Sequence, residues 1–177
     1  MPEINGMRPQ DILVLLKLAS YVQQGQPSWQ QVPLATALGL SQAEVSNSLG
    51  RSRTAHLLAA DKRQLQPAAL LEFLTYGLRY VFPAEPGAVV RGLPTAHSAP
   101  PLAQLIRGEA DPYVWADATA EGAVRGAAIV PLYASVPFAA RQDECLYELL
   151  ALADTLRVGR PREIALAQQL LKERLLP

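Results

Sequence analysis

Cysteine occurs once in this chain and histidine twice, and no stretch approaches 18 uninterrupted apolar residues. A lone Cys145 excludes an intramolecular disulfide, which fits a reducing compartment. So few histidines and cysteines cannot build a tetrahedral metal site without several carboxylates, so no metal is expected. The missing apolar run predicts no membrane-spanning helix. The N-terminus lacks a charged segment followed by an apolar run and a cleavage site, so a cytoplasmic protein is expected. Charge of one sign is missing too: 16 Lys/Arg balance 16 Asp/Glu. A strongly basic total would have pointed to nucleic acid directly, and that pointer is absent. The balance splits mildly. Residues 1–66 hold six Lys/Arg against four Asp/Glu, and residues 67–177 hold ten against twelve. A local patch can still bind phosphates on a neutral molecule.

Enzymatic signatures are also scarce. The phosphate loop GxxxxGK with Ser or Thr, the dinucleotide motif GxGxxG and the nucleophile elbow GxSxG do not occur. A Ser or Cys nucleophile needs a nearby histidine and an orienting acid. His97, in TAHSAP, is not brought to Cys145 by anything in the sequence. The expectation is a protein that is not an enzyme, with no catalytic residues and no cofactor.

What is present centres on residues 28–58, SWQQVPLATALGLSQAEVSNSLGRSRTAHLL. The spacing predicts two short helices joined by a tight turn. Ala35 is small and lets the helices approach. Gly39 lets the chain leave the first helix at little steric cost. Ser41 is a good N-cap, and Glu44 three residues on completes a capping box. Leu40 and Val45 stand at the positions of a hydrophobic staple. Val45 and Leu49 share a face one turn apart. A helix starting at Gln42 and running to about Ala59 follows. Pro33 puts the start of the first helix near itself. Gly50 costs about 1 kcal/mol relative to Ala inside the second.

Over LATALGLSQAEVSNSL, residues 34–49, the sequence resembles the helix-turn-helix of bacterial transcriptional regulators, some of them winged-helix proteins. With a preceding helix, the resemblance covers about a third of the chain. In that family the second helix enters the DNA major groove and reads bases near its N-terminal end. The resemblance therefore implies a DNA-binding set of Ser41, Gln42, Ala43, Ser46, Asn47, Arg51 and Arg53, with the two arginines on phosphates or bases. It implies double-stranded DNA as partner and a homodimer on two-fold sites. The competing reading is a helical hairpin that binds no DNA.

Around this stretch, Pro9 opens a helix through DILVLLKLASYVQQ, whose apolar face backs the pair. Trp29 is expected to pack beneath it. AADKRQLQP, residues 59–67, leaves room for a wing that is brief or missing, with Lys62 and Arg63 at its tip. Pro67 starts another helix, PAALLEFLTYGLRY. Residues 81–101 carry five prolines, which exclude regular helix. They read as an extended wrapping segment with a strand near 88–91, or else as a flexible linker. A short helix at 102–107 closed by Gly108, strands at 112–116 and 124–134, and two C-terminal amphipathic helices complete the chain. These last helices suit either dimerisation or internal packing. Arg79, Arg91 and Arg125, in apolar surroundings, are expected to form buried ion pairs. Arg157, Arg160 and Arg162 are expected to face a helix end. Tyr113, Trp115 and Tyr133 are a possible ligand pocket.

The expected fold is mainly α with a small β component. Residues 1–66 would form a three-helix helix-turn-helix domain. Residues 67–177 would form an α+β half for dimerisation, an effector or a protein partner. The function class is a sequence-specific transcriptional regulator. The alternative is a protein-interaction module or antitoxin-like adaptor.

Overall fold

The computed structural model describes residues 6–106 and 111–177. Its organising element is α1, Pro9–Gln23, in which every residue from Gln10 to Ser20 is buried. A helix buried over so many consecutive residues is covered on more than one side, and its few polar side chains need partners there. One side of α1 meets α2, Gln31–Leu38, and α3, Gln42–Thr54. Another side meets α8, Glu144–Val158. The fold is mainly α, as the periodicity predicts.

Two buried ion pairs hang on α1. Arg51 on α3 clamps Asp11 with Nη2 at 2.6 Å and Nε at 2.9 Å. Lys17 Nζ lies 2.6 Å from Asp143, which also caps α8 by accepting from Leu146 N. Ser20 and Gln24 donate to the same Asp143 carboxylate. The helix is thus tied to residues on both sides of the 66/67 boundary. A single apolar core runs from Ile12 and Leu34 through Leu70 and Leu74 to Leu149 and Leu171.

The proline-rich segment is ordered. α4, Pro67–Tyr76, stops at Gly77, and α5, Leu78–Val81, follows. Then comes β1, Val89–Thr95, longer than the sequence reading because Leu93 and Thr95 turn inward against the core. It does not form a flexible linker. The short helix α6 is Leu102–Leu105, and its predicted closure at Arg107 and Gly108 lies outside the described residues. β2, Tyr113–Ala116, and β3, Val124–Ala128, both pair antiparallel to β1 and pair parallel to each other. The three strands close into a small barrel. Closure this tight needs Gly92, where a Cβ would stand 2.0 Å from the Trp115 carbonyl oxygen.

β3 stops at Ala128, short of the predicted end at Ala134, and beyond it the chain forms α7, Val136–Gln142, in residues the sequence reading leaves unassigned. α8 and α9, Pro161–Leu175, pack on each other with Ala167, Leu171 and Leu175 buried, so they form an internal layer.

Candidate nucleic-acid interface

The turn between α2 and α3 is built from residues the sequence marks. Gly39 takes φ of 63°, a left-handed value that favours glycine. Ser41 Oγ accepts from Glu44 N at 3.2 Å, and Glu44 Oε2 accepts from Ser41 N at 2.8 Å. Gln31 Nε2 donates to the Gln42 carbonyl at 2.9 Å and fixes the two helices together. Pro33 falls in the first turn of α2, where no intrahelical N–H bond is lost. α3 ends at Thr54 rather than near Ala59, and His56 beyond it takes φ of 60°.

Glu44 has a second role. Its Oε1 accepts from Tyr133 Oη at 2.8 Å and from Gln10 Nε2 at 3.2 Å. Backbone and hydroxyl hydrogen bonds from Ser41, then the one from Tyr133, hold its pKa down at about 2. The same contact raises the Tyr133 phenol. A cleft of about 280 Å³ lies here, lined among others by Arg8, Gln10, Asn47 and Tyr133. Tyr133 is thus placed against α3, apart from Trp115 and Tyr113. Trp115 is buried and donates to Asp154, while Tyr113 packs edge-on against His97. The three aromatics do not share one pocket.

Of the seven implied DNA-binding residues, Gln42, Ala43, Ser46, Asn47 and Arg53 are exposed on α3. Ser41 is exposed too, with its hydroxyl engaged by the cap. Arg51 needs correction. It is 6 % exposed and bidentate on the fully buried Asp11, so it is a core cation and not a phosphate or base contact. Sequence spacing had no access to a partner forty residues away.

After α3 the chain makes a rudimentary hairpin. Leu58 bridges Leu65, Ala59 N donates to Gln64 O, and Gln66 N donates to Leu57 O. Asp61 closes the hairpin tip by accepting from Arg63 N and Gln64 N. Arg63 lies over the half-buried Trp29 ring at 5.0 Å and donates to the Trp29 carbonyl. Lys62 sits beside it with φ of 58°.

The other predicted arginine sites change. Arg79, Arg91 and Arg125 are exposed, with Arg79 over the Tyr80 ring and Arg91 on the Ala123 carbonyl. A third buried pair that sequence reasoning missed, besides Arg51–Asp11 and Lys17–Asp143, is Arg157 with Asp154. Arg157 Nη1 lies 2.8 Å from Asp154, and the guanidinium also donates to the carbonyls of Phe82 and Val130. Thr95 and Trp115 donate to the same carboxylate, which fastens the barrel to α8. Burial raises the Asp154 pKa, opposed by Arg157. Arg160, the N-cap of α9, and Arg162 in its first turn remain exposed.

Cys145 Sγ contacts Gln23, and His97 Nε2 contacts the Asp111 carbonyl, so neither side chain engages the other. Among the described residues no group of three His, Cys, Asp or Glu is placed to hold a metal ion. No helix among them is long and apolar enough to cross a membrane. No protein-family model, curated protein or solved structure matches this chain.

Proposed function

We propose that α2 and α3 form a helix-turn-helix that docks in the DNA major groove, and that the chain is a sequence-specific transcriptional regulator acting as a homodimer. One observation carries this reading: a capped helix, held against its partner by a left-handed glycine turn, presents Gln42, Ala43, Ser46, Asn47 and Arg53 to solvent. Such a helix, with polar side chains near its N-terminal end, has the geometry of a major-groove reader. Lys62 and Arg63 at the hairpin tip supply phosphate contacts beside it.

Fluorescence anisotropy on duplexes selected from a random pool, at two salt concentrations, tests the reading. The expected result is a palindromic site bound about a thousandfold or more tighter than random duplex, with a steep salt slope. Combining Gln42→Ala, Asn47→Ala and Arg53→Ala is expected to bring that site down to the random level with the fold retained. Equal affinity for selected and random duplexes would remove the reading.

A specific feature favours a second reading, a protein-interaction module. Tyr76 and Tyr80 are 74 % and 75 % exposed on α4 and α5. Exposed aromatics of this kind are frequent in protein interfaces. A stoichiometric protein partner co-purified from the native host, lost on Tyr76→Ser and Tyr80→Ser, would favour this reading over the first.

A further inference from the structure

We infer that α3 reads A·T base pairs at the centre of its half-site, and this rests on the major-groove function proposed above. The argument is one of chemistry at the exposed face. Gln42, Ala43, Ser46 and Asn47 occupy the first two turns, and none carries a charge. Guanine is read in the major groove by Arg or Lys on O6 and N7, and cytosine by a carboxylate on its N4 amine. Both readers are missing from this end of α3. Arg51, the nearest guanidinium along α3 itself, is withdrawn into the ion pair with Asp11. Arg53 stands eleven residues beyond Gln42, about 16 Å along the helix axis. Glu44, the carboxylate of this end, spends both oxygens on Ser41, Tyr133 and Gln10.

What remains suits adenine and thymine. A side-chain amide pairs with adenine through N6 and N7, and a small apolar side chain packs on the thymine methyl. The amides of Gln42 and Asn47 stand in solvent. Ala43 lies one turn before Asn47 on the same face, so a methyl contact and an amide contact are offered side by side.

The test uses the full chain and the site it selects from random duplexes. Adenines of the site core are replaced one at a time by the deaza analogue that lacks N7, which leaves the protein untouched. The expected outcome is an A·T core in which at least one such replacement weakens binding about tenfold, within the range of about 5- to 150-fold for a bidentate contact. Asn47→Ala or Gln42→Ala is expected to bind the natural and deaza sites equally. A selected site just as sharp, with its core in G·C pairs and its affinity lost on the deaza analogue of guanine, overturns the A·T assignment and leaves the DNA-reading function standing. A pool that yields no consensus overturns both.

Discussion

Two arginines two positions apart on α3 have opposite fates. Arg51 neutralises Asp11 in the core, while Arg53 projects into solvent. Removing one partner of a buried pair leaves the other as an uncompensated charge, at a cost of about 3–5 kcal/mol. Arg51→Ala is therefore expected to lower the urea midpoint sharply. Arg53→Ala should stay within about 0.5 kcal/mol of the parent in stability, as exposed substitutions do. If both variants denature with the parent, the core role of Arg51 is wrong. Glu44 allows a pH prediction. Its folded pKa of about 2 lies below its ordinary 4.5, so its contribution is complete above about 4.5 and fades as pH falls towards 2. Carboxyl NMR of the native protein should place its midpoint near 2. Tyr133→Phe should move that midpoint upward, because one donor to the carboxylate is lost. An unmoved midpoint would remove Tyr133 from the cap.

The elements carry their own tests. Gly50 sits mid-helix on α3, and a Cβ there would meet nothing within 4 Å. Gly50→Ala should therefore stabilise the protein by up to about 1 kcal/mol, read as a higher midpoint in urea. Gly92→Ala should do the reverse, since its Cβ would collide with the Trp115 backbone, and loss of the cooperative melt would report it. These elements also mark what the sequence makes legible. Ser41, Glu44, Gly39 and Pro9 announce helix ends because capping is local chemistry, and the helices begin where those residues say. α7 was hidden because its seven residues, with Pro137 among them, are too few to show a helical period. β1 was underestimated because prolines and glycine interrupt its apolar pattern, and only barrel closure with β2 and β3 makes it a strand. The exposed part of the candidate interface was legible from helical spacing. Arg51 was not, because ion pairing depends on what α1 brings opposite it.

At the scale of the molecule, α1 is buried by α2 and α3 on one side and by α8 on another. Residues 1–66 cut away from the rest would expose the α8-facing side of α1 to water. The two tryptophans fall one on each side of residue 66, at Trp29 and Trp115. In a fluorotryptophan-labelled chain their two fluorine resonances should disappear together with rising urea, as one cooperative core requires. Separate midpoints would mean that the halves unfold independently.

A closed strand ring has one further consequence. Open sheets end in strands whose unpaired amides and carbonyls invite a neighbour's strand. Here β1 pairs with β3 over Val89–Gly92 and with β2 over Gly92–Thr95, and β2 meets β3 at Tyr113 and Val114. Each strand of the ring pairs with both of the others, which shortens the free edge it presents. Pairing with a neighbour's strand is thereby confined to short unpaired stretches, which disfavours strand exchange or fibrous growth from the native sheet.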